Sequence, residues 1–289
     1  MTTTAPPTHE RREAADLTQV TFHETTEVFP ETSRQALVTH SLLQTQRLLR
    51  RWTRDPFTML QAIVYPALML IMFNAVLGIS VTRATGINSV YGYAPMIALV
   101  GAMFGSIASG MQLKMEWRKG LLSRFWILPV HRASGLVSRL LAESVRIMLT
   151  TVLILLVGVA LGFRFNQGVL AGIALLFVPL LMGIGFATMV TALSVTSAKL
   201  PLVELLSLIC SLLMFFNSGF VPTAAYPTWL QGFVENQPMS TAIDAMKGLS
   251  LGGPVAEPLI KTALWSVGAI ALFTWPAIRG YRKAAGTPA

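Results

Sequence analysis

Charged residues are scarce in this chain. Of its 289 residues, 12% are charged and 53% are hydrophobic, whereas roughly a quarter of the residues in soluble globular domains are charged. The mean hydropathy is +0.61. This composition excludes an ordinary soluble domain and indicates an integral membrane protein. The formal net charge of +9 comes without a recognisable basic DNA-binding module, so we expect no nucleic-acid partner.

Cysteine is almost absent, and histidine is rare. The single cysteine, Cys210, lies inside an apolar run, which excludes an internal disulfide and a cysteine-based zinc cluster. The four histidines lack the spacing of metal ligands; they are His9, His23, His40 and His131. We therefore expect neither a metal nor a cofactor in this chain.

Motifs of catalysis and nucleotide binding are missing as well. There is no GxxxxGK[ST] phosphate loop, so the chain should not bind and hydrolyse ATP in that manner. HExxH is also absent. We predict no catalytic residue. A membrane-embedded lipid-modifying enzyme stays open as an alternative, but it would need an acid, a base and a nucleophile on facing helices, and no such set is recognisable.

Long apolar runs, in contrast, are abundant. Six segments approach the roughly 20 residues that a helix needs to cross a bilayer. In lipid only a helix satisfies the backbone of such a run, and the alternation of a barrel strand is absent. The predicted fold class is all-α, an integral membrane protein with six transmembrane helices. The segments are Phe57 to Ile79, Ala94 to Leu113, Leu140 to Phe163, Val169 to Ser194, Leu202 to Val221 and Leu259 to Ile278.

The distribution of basic residues predicts the orientation. Eighteen of the 22 Lys and Arg residues fall in the amino-terminal region, the second and fourth connections and the carboxy-terminal tail. Because Lys and Arg collect on the cytoplasmic side, both termini are predicted to be cytoplasmic in a bacterial inner membrane. Residues 1–33 are rich in Thr, Glu and Pro and lack the pattern of a signal peptide, so they read as a disordered cytoplasmic tail.

Residues 34–55 precede the first apolar segment. In "RQALVTHSLLQTQRLLRRWTR", helical spacing collects apolar side chains on one side and arginines on the other. That pattern predicts an amphipathic helix in the membrane surface, with its basic side towards anionic headgroups or a protein partner. Asp55-Pro56 should end it, because a residue before proline avoids the helical region.

Residues 114–132 form an unusual second connection, "KMEWRKGLLSRFWILPVHR". Gly120 can terminate a helix, and Pro129 prevents an unbroken one. A short amphipathic helix between them, with aromatic and arginine side chains, suits a groove on a cytoplasmic partner. The alternative is a loop that only holds positive charge and places tryptophans among headgroups. The candidate contact residues are Glu116, Trp117, Arg118, Lys119, Gly120, Arg124, Phe125, Trp126 and Pro129.

Residues 222–257 form the fifth connection. Their composition is too apolar for a free loop, and their apolar runs are too short to cross a bilayer. We predict one or two short helices that re-enter the outer leaflet, interrupted at Pro222, Pro227 and Pro238.

Polar residues in or beside the spans are the remaining candidates. Arg139, Glu143 and Arg146 share one helix face, so they are predicted to pair with each other structurally. No charge reaches the bilayer centre, which argues against an ion-coupled transporter. Small polar groups among apolar ones predict a substrate pathway, although hydrogen bonding between helices is the alternative. The pathway candidates are Asn74, Ser207, Ser211, Met214 and Asn217.

Together these segments resemble a known family. The order of "LLQTQRLLRRWTRD", "GLLSRFWILPVHRASGLVSRLLAESVR", "LGFRFNQG", "VPTAAYPTWLQGFVENQPMS" and "IRGYRKA" is similar to the ABC-2 type permeases of ATP-binding-cassette exporters, most closely the daunorubicin-resistance type. The resemblance covers roughly Thr39 to Lys283. It departs from many relatives in lacking a glutamate shortly after Gly120, which leaves open a partner matched to this permease.

The resemblance implies a six-helix transmembrane domain over residues 56–283, followed by a tail at 284–289. It implies two paired permeases, here a different second chain, each docked on an ATPase subunit that binds ATP and Mg. It places the coupling helix at Glu116 to Pro129, the surface helix at Gln35 to Arg54 and the re-entrant element at Tyr226 to Met246. The expected cargo is an amphipathic drug or a complex envelope lipid surrounded by membrane lipids. An ABC importer permease and a passive channel remain alternatives.

Overall fold

A computed structural model describes residues 33–126, 130–196 and 201–286. Within these ranges the chain forms helices and irregular connections without any strand, which confirms the predicted all-α fold class. The predicted tail over residues 1–33 lies outside the described residues apart from Ser33, and so does the end of the carboxy-terminal tail from residue 287 onward.

Ten α-helices and one short 3-10 helix, Thr223–Ala225, follow one another in the described part of the chain. The α-helices are α1 (Arg34–Arg54), α2 (Pro56–Thr85), α3 (Val90–Arg118), α4 (Leu121–Trp126), α5 (Ser134–Ala160), α6 (Gly168–Thr196), α7 (Leu202–Phe215), α8 (Thr228–Asn236), α9 (Pro238–Leu251) and α10 (Ala256–Gly286).

Local sequence signals account for several helix ends. Ser33 caps α1 by accepting a hydrogen bond from Ala36 N at 3.0 Å, which satisfies a free amide of the first turn. Asp55 is extended, and Pro56 opens α2, where its missing N–H costs nothing. Gly120 has φ +66° and separates α3 from α4. The helix end before Pro56 and the break at Gly120 are thus where the sequence predicted them.

Five of the described helices are long and apolar enough to cross a membrane: α2, α3, α5, α6 and α10. The fifth predicted span, Leu202 to Val221, is only partly helical. Its helix, α7, has 14 residues and covers about 21 Å, less than the roughly 30 Å of a hydrocarbon core. The predicted apolar helix is present at this position, but residues 216–221 are irregular.

Side chains from the fifth connection explain why α7 ends early. Beyond Phe215 the carbonyl oxygens of three successive residues accept hydrogen bonds from Gln237, Tyr226 and Lys247, respectively. Each of these bonds replaces one that a longer helix would have made within itself, so irregular backbone is stable inside the protein. The acceptor residues are Phe216, Asn217 and Ser218.

Helix α3 is the most enclosed of the five long helices. It contacts α5, α6, α7, α9 and α2, and Tyr93 and Ile97 are fully buried in the main core. Helices α6 and α10 pack closely, since a Cβ on Gly185 would stand 2.9 Å from the backbone oxygen of Ser266. Most of α2 and α10 faces outward with apolar side chains, as expected for helices bounded by lipid.

The bundle has two chemically different ends. The basic end comprises α1, α4 and the parts of α3, α5 and α10 that contact them. The opposite end comprises α8, α9 and the helix ends that they meet, where Trp265 Nε1 donates to Asn236 O at 3.0 Å. Two helices, α8 and α9, thus occupy the predicted re-entrant region, and their depth in the membrane stays a prediction.

Candidate functional site

A cavity of about 470 Å³ lies between α1, α2, α3, α5 and α7. Along α3 its lining extends from Ile97 to Gln112, a distance of about 22 Å at the helical rise. Towards the opposite end the lining is apolar, with Met69, Ile97, Val100, Phe104, Met214 and Phe215. Towards the basic end it includes polar side chains beside the apolar Leu48, Leu49 and Trp52; the polar residues are Arg51, Asp55, Ser109, Gln112 and Arg139. Glu143 and Arg146 lie between the two parts, since Arg146 contacts Gly101 and Ala102. The cavity is therefore amphipathic along its length.

Two of the five predicted pathway residues line this cavity, Ser211 and Met214. Asn74 lies outside it, where its Oδ1 accepts from Ser89 Oγ at 3.3 Å. Ser207 donates to Glu204 O within α7. Asn217 is fully buried and holds the turn after α7, accepting from Gly219 N at 2.7 Å. The contact of Asn74 joins α2 to the start of α3, as the alternative of hydrogen bonding between helices predicted, whereas the contacts of Ser207 and Asn217 are local.

Glu143 and Arg146 form an ion pair inside the cavity wall. Arg146 Nε donates to Glu143 Oε2 at 3.1 Å, and its Nη1 and Nη2 each donate at 3.3 Å to α3 carbonyls, those of Gly101 and Ala102. Ser106 Oγ is 3.3 Å from the same carboxylate oxygen. The pair thus joins α5 to α3 at a depth where an unpaired charge would be costly.

Arg139 does not join that pair, and here the predicted three-residue pairing is wrong. Its guanidinium instead forms an ion pair with Glu116 on α3. Arg139 lies four residues before Glu143 on α5, but its longer side chain reaches across to the end of α3, where a second carboxylate is available. Helical spacing alone cannot distinguish these two partners.

Glu116 is held from both sides. Besides Arg139, it accepts a hydrogen bond from Arg51 Nη1 of α1 at 2.9 Å. Only 8% of Glu116 is exposed. The prediction that Glu116 contacts an external partner is therefore wrong: its carboxylate is already occupied by α1 and α5, and this residue joins three helices at the basic end.

Trp117 is also directed towards the bundle. It packs against a small core formed by Leu113, Leu122, Val195, Ala284 and Ala285. Leu122 belongs to α4, and both alanines belong to the last turns of α10. The inner side of α4 is consequently seated on the ends of α3 and α10, and Trp117 is part of that seat.

The outer side of the coupling segment differs. Arg118 and Lys119 are exposed, and Gly120 is half-buried. Helix α4 includes Arg124, Phe125 and Trp126, but their side chains lie outside the described residues, as does all of Pro129. The role of this surface in contacting a partner stays a prediction.

Sequence reasoning missed several polar contacts. Lys114 Nζ pairs with Glu204 Oε1 at 3.2 Å and so joins α3 to α7. Ser109 and Gln112 line the cavity, and their spacing of three on α3 was the available signal for a shared face.

The comparison with protein families decides the identity of this architecture. Residues 41–250 match the family described as ABC-2 type transporter. This chain belongs to that family. The match contains α2 to α8, most of α1 and α9, and every residue that lines the cavity. Membership makes the chain a multi-pass membrane permease and not an enzyme in its own right.

Individual relatives of the permease agree with the family match. It is 42% identical over 254 residues to the "Probable doxorubicin resistance ABC transporter permease protein DrrC" of Mycobacterium tuberculosis, covering 88% of this chain and 92% of that protein. It is 25% identical to the "Daunorubicin resistance ABC transporter permease protein DrrB1" of Streptomyces coeruleorubidus, covering 87% of this chain and 89% of that protein. To the "Doxorubicin resistance ABC transporter permease protein DrrB" of M. tuberculosis it is 30% identical, over 54% of each.

Proposed function

We propose that this permease is the transmembrane subunit of an exporter that moves an amphipathic drug or a complex envelope lipid across the bacterial cytoplasmic membrane. ATP and Mg are bound by a separate ATPase subunit. The observation that carries the proposal is the cavity, which combines an apolar wall with a polar basic end. The drug-resistance names of the relatives support the same direction of transport.

The cavity suits an amphiphile for a simple physical reason. Apolar side chains such as Phe104 and Met214 remove the hydrophobic part of an amphiphile from water without fixing its orientation. A few polar groups at one end orient its head group. The long axis of the cavity follows α3, so a bound amphiphile would lie with its head towards the basic end.

Coupling to the ATPase would pass through α3. This helix carries Phe104 and Gln112 in the cavity wall, Glu116 in the bridge to α1 and α5, and Trp117 in the seat of α4. A displacement of α4 by an ATPase would act directly on the end of α3. We therefore assign the docking surface to the outer side of α4 with Arg118 and Lys119, and the inner side to transmission of the movement.

A second permease would complete the pathway. Tyr65 lines the cavity and is 57% exposed, and Leu68 and Met72 continue that outward apolar face along α2. A pair of different permeases fits the existence of both DrrB and DrrC proteins in M. tuberculosis among the relatives. The cytoplasmic position of the basic end and of both termini rests on the positive-inside rule.

The experiment uses the permease co-purified with its ATPase and second permease and reconstituted in vesicles. We expect ATP-dependent accumulation of a fluorescent lipid when the basic end faces outward. Met214→Trp should fill the apolar end and lower transport, whereas Leu272→Trp on the outward face of α10 is the control. Accumulation only in the reverse orientation would indicate an importer. A new lipid product formed without any ATPase would indicate the enzyme alternative.

A further inference from the structure

The polar end of the cavity holds balanced charges. Three arginines and three carboxylates surround it: Arg51, Arg139, Arg146, Asp55, Glu116 and Glu143. The charges of these six groups cancel, whereas Arg47, Arg50 and Arg54 line an adjoining pocket with Arg51 and Asp55. Beside the Glu143–Arg146 pair, an additional ammonium would be repelled by the guanidinium of Arg146, and an additional phosphate would be repelled by Glu143. Next to this pair the electrostatics thus favour a head group without charge.

Glu143 nevertheless offers one strong acceptor. Its Oε2 is the oxygen bound by Arg146 and approached by Ser106, while no described residue donates a hydrogen bond to Oε1. The side chain is nine-tenths buried and lines the cavity. An ionised acceptor in such surroundings forms stronger hydrogen bonds than a neutral one, so Oε1 favours a hydroxyl or another neutral donor in the cavity.

Two neighbours on α3 supply the complementary groups. Ser109 and Gln112 line the same polar end, and neither side chain forms a hydrogen bond within the part of the chain that the structure describes. A hydroxyl and an amide can each donate and accept. Together with Glu143 Oε1 they present both donors and acceptors over a short distance on facing helices, which matches a group carrying several hydroxyls.

We propose that Glu143, Ser109 and Gln112 select an amphiphile with an uncharged, hydroxyl-rich head group such as a sugar or polyol. This proposal rests on the proposed function and adds to it the chemistry of the cargo head. Arg146 and Ser106 position the Glu143 carboxylate, and the head-group hydroxyl donates to Oε1. The apolar body lies against Phe104 and Met214.

The test measures binding to the assembled complex in nanodiscs, with empty discs correcting for partition into lipid. Three probes share a dodecyl chain and a tail fluorophore and differ only in the head: a glucoside, an ammonium and a phosphate. We expect the glucoside to bind at least about tenfold more tightly than either charged probe, the range of one hydrogen bond to a charged group. Equal binding of the three probes, or tighter binding of a charged one, overturns the proposal.

Variants separate recognition from a merely structural role. Glu143→Gln keeps the size but leaves Arg146 without its counter-charge, so glucoside binding should fall about tenfold while phosphate binding rises. Ser109→Ala and Gln112→Leu should each weaken glucoside binding alone, and they carry the test if Glu143→Gln does not assemble. Glu235→Gln, at an exposed carboxylate of the opposite end, is the control. Unchanged head-group preference in all three cavity variants overturns the proposal.

The exporter and the head-group site are tested separately. A complex that exports a fluorescent lipid with ATP, but binds the three dodecyl probes equally, retains the proposed function and refutes the head-group inference. A complex that prefers the glucoside but moves nothing with ATP retains the site and refutes the exporter.

Discussion

Arg146 crosses α3 directly over Gly105, where a Cβ would overlap the guanidinium group. Only a residue without a side chain leaves room for the arginine to reach the carbonyls of Gly101 and Ala102. A glycine in a transmembrane helix thus makes space here for a charged side chain, whereas such glycines more often bring two helix backbones together.

Gly105→Ala should therefore displace Arg146 and lower stability by about 1–3 kcal/mol, the usual cost of overpacking. Gly101→Ala is the matched control, one helical turn away, because its Cβ would meet only Ile154 Cδ1 at 3.7 Å, an ordinary contact. Thermal unfolding of the purified permease measures both. Equal melting temperatures for the two variants would contradict this account of Gly105.

The two arginines on Glu116 should contribute unequally. Arg139 is 8% exposed at its side chain and Arg51 is 60% exposed. Arg139→Met removes the buried partner and should cost about 3 kcal/mol, whereas Arg51→Met should cost less than about 1 kcal/mol because water screens that pair. Denaturant titration measures the free energy of unfolding of both variants. A larger loss of stability for Arg51→Met than for Arg139→Met would refute this order.

Gly120 should matter for coupling beyond its effect on stability. Both Gly120 and Gly86 have positive φ, +66° and +73°. A Cβ at Gly86 would meet nothing within 4 Å, and one at Gly120 would meet only Ser123 Oγ at 3.7 Å, an ordinary contact. Alanine at either position should cost about 1–2 kcal/mol of backbone strain. Only Gly120→Ala changes the path from α3 into α4. We expect it to lower cargo-stimulated ATPase activity of the complex, as we expect of Trp126→Ala, while Gly86→Ala leaves stimulation intact.

Lys247 predicts a dependence of stability on pH. Burial lowers the pKa of its ammonium from the ordinary 10.5, and Asp244 offsets this only in part. Between the folded pKa and 10.5 the unfolded chain binds a proton that the folded chain has released, so stability rises with pH across that range. The melting temperature of wild type relative to Lys247→Met should therefore be higher at pH 10 than at pH 7.5. A difference in melting temperature that stays constant or falls from pH 7.5 to pH 10 would contradict the lowered pKa of Lys247.

Local sequence signals were sufficient for much of the fold. The length of the apolar runs predicted the five long helices. Asp55-Pro56 and Gly120 predicted two helix ends, because such ends depend on backbone conformation within a few residues. The end of α7 was not predictable in this way. It depends on side chains such as Gln237 and Lys247, which come from a segment more than 20 residues further along the chain.

The candidate site shows the same division. Ser211 and Met214 were found because a small polar group among apolar ones is visible in the sequence, and the pairing of Glu143 with Arg146 follows helical spacing. Glu116 was misassigned because nothing near it in sequence indicates that arginines from α1 and α5 would reach it. Contacts between distant segments require the packed bundle.

The early end of α7 affects how the cavity wall is held in place. Met214 and Phe215 stand in its wall at the last turn of that helix, and the backbone just beyond is held by three side chains instead of a helical ladder. Rotating this wall would exchange a few side-chain bonds for bonds to water, and no long helix would have to break. The position of Met214 and Phe215 in the cavity wall therefore depends on hydrogen bonds from a distant segment and not on a continuous helix.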